Sequence, residues 1–220
     1  MKSGAEDAAA VVTRNEPLAE GISDIRLELP KSRAVPLPGQ FAHVFVPGVF
    51  LRRPISIAGF KPDKSEIRLI VRNSGRGTDA LVRTRAGDGL RALLPLGNSY
   101  AAEKFSGSGV KDIWLAGGGI GAAPLLYAAE YLSRASDGFR IKSFLGFRSE
   151  GTAYCADEFK LYGEVSLSVG GIVTDKLSES LTEGTPDVIL ACGPAPMLAA
   201  LQKICLSKGL RAFVYLEARM

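Results

Sequence analysis

The chain has 220 residues, enough for one large domain or two small ones, and its hydrophobic fraction of 46% indicates a packed globular core. Its net charge of +4 comes from scattered residues rather than a basic block interleaved with aromatic residues, which argues against nucleic-acid binding. No window approaches about 18 consecutive apolar residues, so no membrane-spanning helix is predicted. The three cysteines, Cys155, Cys192 and Cys205, are too far apart for a disulfide framework or a metal knuckle.

The amino-terminal residues do not resemble a secretion signal. Glu6 and Asp7 lie where a signal peptide needs an apolar core. We therefore expect a cytoplasmic protein whose start is short and frayed.

Residues 10–105 are predicted to be rich in β-strands. Short apolar runs alternate with turn residues, a pattern typical of a small antiparallel barrel. One helix is expected at Thr78–Arg85, and the last strand is expected to stop at Pro95. The predicted strands are Ile25–Leu29, Phe41–Val46, Ile55–Phe60, Ile67–Val71 and Leu90–Leu94.

From Asp112 onward, predicted strands alternate with predicted helices. This order predicts a parallel sheet with right-handed crossovers and helices on both faces. The segment Glu103–Gly109 reads as a linker, so we expect one domain at residues 1–105 and another at 106–220. The strands are expected at Ile113–Ala116, Ile141–Phe147, Val165–Val169, Val188–Cys192 and Ala212–Leu216, and the helices at Pro124–Ala135, Asp157–Leu161, Asp175–Leu181 and Pro196–Ser207.

A glycine-rich turn follows the first of these strands. Gly117, Gly119 and Ala122 fit the G-x-G-x-x-G/A pattern, in which glycines let the backbone approach a pyrophosphate and the small third residue lets the helix pack on the strand. Pro124 suits a first helical position, and the free N–H groups there attract anions. The alternative is a glycine turn that binds no ligand.

Two stretches of the first half also suggest anion sites. Arg53, next to Pro54 and followed by an extended Ile-Ser-Ile, offers a guanidinium to a phosphate and a flat backbone edge to a planar ring. The alternative is a strand entry with two surface arginines. The loop Asn73–Asp79 brings backbone N–H groups and the Thr78 hydroxyl to a helix start, which fits either an anion cradle or an ordinary N-cap.

Near the carboxyl end, Cys192 ends a predicted strand and is followed by a turn. A small thiol at this position can face a nicotinamide ring without crowding it, although a half-buried cysteine is also common in inert packing.

Together these motifs resemble the ferredoxin–NADP reductase-like proteins. Arg53-Pro54-Ile55-Ser56 is similar to their flavin motif, Gly117–Pro124 to their pyridine-nucleotide loop, and Cys192-Gly193-Pro194 to their late C-G-P. Within that superfamily, the stretches LRRPISI, GRGT, PLGN, LGFRS and ACGPAPML resemble the electron transfer subunits of dihydroorotate dehydrogenase B. The resemblance covers residues 11–220.

The resemblance implies a two-domain architecture: an antiparallel β-barrel that binds FAD, followed by a doubly wound α/β domain that binds NADH or NADPH. It further implies a hetero-oligomer with a dihydroorotate dehydrogenase catalytic subunit in pyrimidine biosynthesis. The implied FAD contacts are Arg53, Pro54, Ile55, Ser56, Ile70, Val71, Arg72, Gly77 and Thr78. The implied nucleotide contacts are Gly117, Gly118, Gly119, Ile120, Gly121, Gly193 and Pro194, with Cys192 near the nicotinamide.

The sequence departs from the family in two places. Relatives carry the cysteines of a 2Fe-2S cluster soon after a stretch like 214–220, and a cluster needs four grouped thiolates, which three separated cysteines do not supply. Either the ligands follow in a longer protein, or this relative works without a cluster. The loop Ser168–Val173 is shorter than its counterpart in the family, which puts the family's nucleotide contacts there in doubt.

The nucleotide and the electron acceptor have alternatives. Glu150 beside Arg148 and Ser149 would repel a 2′-phosphate, which favours NADH over NADPH. Other readings of the function are a reductase subunit of a ferredoxin:NADP or sulfide-handling complex, and a non-catalytic relative that keeps the fold.

Overall fold

The computed structural model describes residues 4–30, 32, 35–100, 104–105, 107–135 and 138–215. Contacts within the chain divide it into two compact units, Met1–Tyr100 and Ala101–Met220. The expected fold class is confirmed, because an antiparallel barrel precedes a parallel sheet. The predicted linker Glu103–Gly109 includes residues outside the described ranges.

The first unit is a closed barrel with the strand order β1-β2-β5-β4-β3-β6. One helix, α1, lies at Arg76–Val82 between β5 and β6. Alternate strand residues point inward, and Ile25, Leu27, Ile67 and Leu69 are fully buried. The strands are β1 at Glu6–Ala19, β2 at Ile22–Glu28, β3 at Phe41–Phe45, β4 at Arg53–Lys61, β5 at Glu66–Arg72 and β6 at Gly89–Leu96.

The expectation of a frayed start is wrong from Glu6 onward, and residues 1–3 lie outside the described residues. Glu6–Val11 pairs with β6, and Val11–Ala19 pairs with β2, so β1 closes the barrel. The buried positions of its first half are Ala8, Ala10 and Val12. Two of these are alanines, which give a weak strand signal in the sequence.

The expectation that β6 stops at Pro95 is also wrong. The strand runs to Leu96, and the register of its ladder with β3 shifts around Pro95. A bulge does not need every ladder hydrogen bond, so it can accommodate a residue that lacks an N–H.

The second unit is a parallel sheet of five strands in the order β11-β10-β7-β8-β9. Its core includes Trp114, Phe144, Leu177 and Leu201, packed between the sheet and helices α4 and α5. The strands are β7 at Asp112–Gly118, β8 at Arg140–Phe147, β9 at Glu164–Val169, β10 at Val188–Cys192 and β11 at Ala212–Tyr215; the helices are α2 at Ala122–Ser133, α3 at Ala156–Lys160, α4 at Val173–Ser180 and α5 at Ala195–Lys208.

A carboxylate joins the amino ends of β7 and β10. One oxygen of Asp187 accepts hydrogen bonds from the backbone N–H groups of Lys111 and Asp112, both at 2.8 Å. These bonds hold the pKa of the Asp187 carboxyl below its ordinary value, and the bond from Asp112 is the largest cause. The contact fixes the end of the sheet opposite the glycine turn.

Candidate functional site

The predicted flavin residues lie on neighbouring strands of the barrel. In the ladder between β3 and β4, Val44 is opposite Arg53 and Phe41 is opposite Ser56. On its other side β4 pairs with β5, with Ile57 opposite Leu69, so Ile55 and Ser56 extend alongside the end of β5. Pro54 and Arg72 are exposed, Ile55 and Ser56 are half-buried, and Ile70 and Val71 are buried.

Arg53 packs directly against Gly77 in the first turn of α1. A Cβ placed on Gly77 would overlap the Arg53 Nε and would lie 2.6 Å from Cζ, so any larger residue would displace this guanidinium. The Arg53 Nε is buried and has no hydrogen-bond partner among the described residues. Because a buried guanidinium nitrogen without a partner is costly, this atom marks a site suited to an external acceptor.

Thr78 closes its own loop. Its hydroxyl accepts a hydrogen bond from the backbone N–H of Ser74 at 2.9 Å and donates one to the Gly75 carbonyl at 3.0 Å. The single hydroxyl proton is therefore already engaged within the loop, while the N-cap of α1 is Gly75 and no side chain caps the helix. The backbone N–H groups of Gly77 and Thr78, in the first turn of α1, have no acceptor within the helix.

Arg52 is engaged in a different contact. Its guanidinium binds the Asp7 carboxylate at 3.0 Å and 2.9 Å, and Arg91 binds the same carboxylate at 3.1 Å. The hydrogen bond from Arg52 is the largest cause that lowers the pKa of Asp7. Arg52 therefore links β1 to the start of β4, while Arg53 faces α1.

Asn15 holds the other end of α1, and the sequence reasoning missed this residue. Its side-chain amide donates to the carbonyls of Val82 at 3.1 Å and Thr84 at 2.7 Å. The Val82 carbonyl is one of those that a helix end leaves without partners, and Thr84 lies just beyond that end. No local pattern identifies Asn15, because its acceptors are distant in the sequence.

The glycine turn lies where the strand order of the parallel sheet reverses. Strand β7 has β8 on one side and β10 on the other, and Gly117 is opposite both Leu145 and Cys192. Gly119 has φ of +54°, in the region that favours glycine, and opens a 3-10 turn that leads into α2. Ligands of open α/β sheets bind at the carboxyl ends of the strands at such a reversal.

The predicted helix start at Pro124 is two residues late, because α2 begins at Ala122. Pro124 is the third helical residue. It still lies within the first turn, where a missing N–H breaks no intrahelical bond.

Two turns are brought into close contact at this edge. A Cβ on Gly121 would overlap the Cys192 carbonyl and would lie 2.7 Å from the Gly193 nitrogen. Met197 covers Gly118 and Gly193 from the first turns of α5, since added Cβ atoms would lie 2.6 Å and 3.0 Å from its sulfur. Pro194 precedes α5 as its N-cap, and the Cys192 side chain is buried, with 5% of the residue exposed. The predicted nucleotide residues thus form one compact group.

Tyr154 contacts this group and was missed by the sequence reasoning. Its hydroxyl donates to the carbonyls of Gly119 at 3.1 Å and Ile120 at 3.3 Å. The residue follows β8, and a lone tyrosine in a polar stretch carries no signal that it reaches another loop.

Comparison with known proteins decides the family. A protein described as the dihydroorotate dehydrogenase B (NAD(+)) electron transfer subunit of Shouchella clausii (strain KSM-K16) is 38% identical over 193 residues, which are 83% of this chain and 71% of that protein. The protein of the same description from Geobacillus sp. (strain WCH70) is 34% identical over 95% of this chain and 82% of that protein. The chain belongs to this family. No protein-family model matches it.

The fold of this family member also occurs in solved structures. The structure described as an NADH-dependent reduced ferredoxin-NADP oxidoreductase aligns with a TM-score of 0.84 and 25% identity, over 100% of this chain and 79% of that one. This likeness agrees with the ferredoxin reductase-like architecture expected from the motifs.

The cysteines of this family member do not fit an iron–sulfur cluster. Cys192 ends β10 and Cys205 lies in α5, while Cys155 precedes α3. Among the described residues, no group of three or more His, Cys, Asp or Glu side chains is placed to hold a metal. Four thiolates would be needed.

The residues that follow β8 bear on the choice of nucleotide. Arg148, Ser149 and Glu150 follow β8 and are exposed, and the Thr152 hydroxyl accepts a hydrogen bond from the Ser149 N–H at 3.2 Å.

The described residues contain no helix with the length and apolar character that a membrane span requires.

Proposed function

We propose that this chain binds FAD in the barrel unit and NADH in the α/β unit, and that it delivers electrons to a dihydroorotate dehydrogenase catalytic subunit. The observation that carries the proposal is the buried Arg53 Nε, which lies against Gly77 and lacks a partner among the described residues. Its relatives in Shouchella clausii and Geobacillus are electron transfer subunits, which supports the same function.

The barrel residues fit FAD. The Arg53 guanidinium and the free N–H groups at the start of α1 would hold its diphosphate, because charged donors and helix N-termini both attract phosphate. Pro54, Ile55 and Ser56 would line the isoalloxazine, with Ile70, Val71 and Arg72 at the adjoining strand edge. FAD, when bound, accepts a hydride from NADH and releases electrons singly.

The α/β residues fit a dinucleotide. The turn Gly117–Gly121 brings backbone N–H groups to the reversal of the strand order, and the C-G-P turn at Cys192 lies against it. Cys192 would lie near the nicotinamide, with Gly193 and Pro194 beside it. The Glu150 carboxylate would repel a 2′-phosphate, which favours NADH.

The first experiment tests the two cofactors. The purified chain is stripped of flavin and titrated with FAD, and the loaded protein is then given NADH and ferricyanide. We expect a yellow protein that binds FAD and reduces ferricyanide with NADH faster than with NADPH. A chain that neither retains nor rebinds FAD would overturn the proposal, and a chain that binds FAD but does not react with NADH would be a binding module only.

The second experiment tests the partner. Co-expression with a dihydroorotate dehydrogenase catalytic subunit should give a complex in which NADH reduces orotate to dihydroorotate, the direction of electron delivery proposed here. The likeness to the ferredoxin-NADP oxidoreductase supports a second candidate, a reductase subunit of another complex. Ferredoxin reduction by a chain that does not associate with the dehydrogenase would favour that candidate.

A further inference from the structure

Tyr154 places a buried hydroxyl behind the glycine turn. Only 4% of the residue is exposed, and its hydroxyl lies 3.1 Å from the Gly119 carbonyl and 3.3 Å from the Ile120 carbonyl. The backbone N–H of Ala122 reaches the same two carbonyls at the end of the 3-10 turn. Without Tyr154 the two carbonyls would share a single donor, the Ala122 N–H, so the tyrosine hydroxyl supplies a second one.

The one phenolic proton is shared between these two carbonyls, and this bifurcated hydrogen bond sets the direction of two peptide planes. In a trans peptide the C=O of one residue and the N–H of the next point in opposite directions. Since Tyr154 holds the carbonyls of Gly119 and Ile120 toward itself, the N–H groups of Ile120 and Gly121 point away from it. N–H groups that converge at a turn before a helix are the donors that bind a pyrophosphate.

The tyrosine ring is itself held by neighbouring structure. Its centroid lies 5.2 Å from that of Phe147, the last residue of β8, at an interplanar angle of 62°. The turn between them is closed by Thr152, whose hydroxyl donates to the Ser149 carbonyl at 3.0 Å. The Tyr154 hydroxyl is thus fixed in place before any ligand binds, which lowers the entropic cost of ordering the site on binding.

We propose that Tyr154 is a positioning residue for the pyridine nucleotide, which aims the N–H groups of Ile120 and Gly121 at the diphosphate. The inference rests on the proposed function, because it concerns the same nucleotide. Gly119 gives the turn its left-handed backbone, and Tyr154 selects the orientation of the peptides that follow.

The test compares Tyr154→Phe, which removes only the hydroxyl, with Tyr131→Phe near the end of α2 as the matched control. The FAD-loaded proteins are titrated with NAD⁺ by calorimetry, and KM and kcat are measured with NADH and ferricyanide. For Tyr154→Phe we expect the Kd for NAD⁺ and the KM for NADH to rise by up to about tenfold, because the turn must then be ordered on binding and that cost is bounded by the one hydrogen bond that held it. FAD content and kcat should stay unchanged, and Tyr131→Phe should match the wild type.

The outcomes separate the two proposals. A wild-type protein that does not bind NAD⁺ overturns the proposed function and the inference with it. A wild type that binds NAD⁺ and a Tyr154→Phe variant with the same affinity overturn the inference alone. A Tyr154→Phe variant that does not fold, or that loses FAD and NAD⁺ together, also overturns it, because the hydroxyl would then be a general structural element.

Discussion

Replacing Arg53 by alanine should weaken FAD binding far more than replacing Arg52. The two arginines are adjacent but face different partners, since Arg52 binds Asp7 and Arg53 packs on Gly77. Loss of one charge-assisted phosphate contact costs about 1.5 to 3 kcal/mol, which raises the Kd for FAD roughly 10- to 150-fold. Arg52→Ala removes the ion pair with Asp7, but Asp7 still binds Arg91. Such partly exposed ion pairs contribute about 0 to 1 kcal/mol to stability.

The assay is a titration of each flavin-free variant with FAD, followed by fluorescence, together with a thermal unfolding curve for each. The two unfolding curves serve as the control, because the Arg53 Nε makes no hydrogen bond in the described structure that the variant could lose. Equal loss of FAD affinity in both variants would show that the guanidinium beside Gly77 is not the phosphate ligand. An unchanged Kd for FAD in Arg53→Ala would refute the barrel site.

Three further outcomes are expected. Gly77→Ala should weaken FAD binding by displacing the flexible Arg53 side chain, without lowering the melting temperature, because alanine favours a helix; FAD titration and melting curves check this. Gly121→Ala should instead destabilise the chain by about 1 to 3 kcal/mol and weaken NADH binding, because its Cβ meets the Cys192 backbone, which cannot swing aside; denaturant unfolding and NADH titration measure both. The lowered pKa of Asp187 stabilises the fold above the unfolded pKa of about 3.9, and this stability is lost as pH falls through the lower folded pKa, so Asp187→Asn should flatten the acid limb of stability against pH.

The sequence predicted the elements whose ends are marked by glycine or proline. Gly117–Gly121 and the turn at Cys192 end apolar runs with glycine and proline, so their strands, their helices and their shared edge of the sheet were all expected. The parallel arrangement of the second sheet follows from the alternation of strands and helices, whereas its strand order is seen only in the structure. The predictions were wrong where the sequence signal is weak, at the alanine positions of β1 and at the proline inside β6.

The candidate site was predicted as a set of segments, but its contacts were not. The packing of Arg53 on Gly77 joins the start of β4 to the first turn of α1, and neither residue's neighbours in the sequence indicate that contact. The hydrogen bonds of Asn15 and Tyr154 likewise reach loops far along the chain. Such contacts depend on the closed barrel and the finished sheet, so periodicity and turn patterns do not contain them.

The ladder that closes the barrel has a consequence for synthesis. Glu6 pairs with Leu94, so the first strand of the barrel has its partner among the last residues of the unit. Pairings this distant in sequence pay the entropy of closing a long loop before they gain stability, which makes them slow to form. Until β6 has emerged, the nascent β1 exposes one edge, and the barrel therefore completes only after almost the whole unit has been translated.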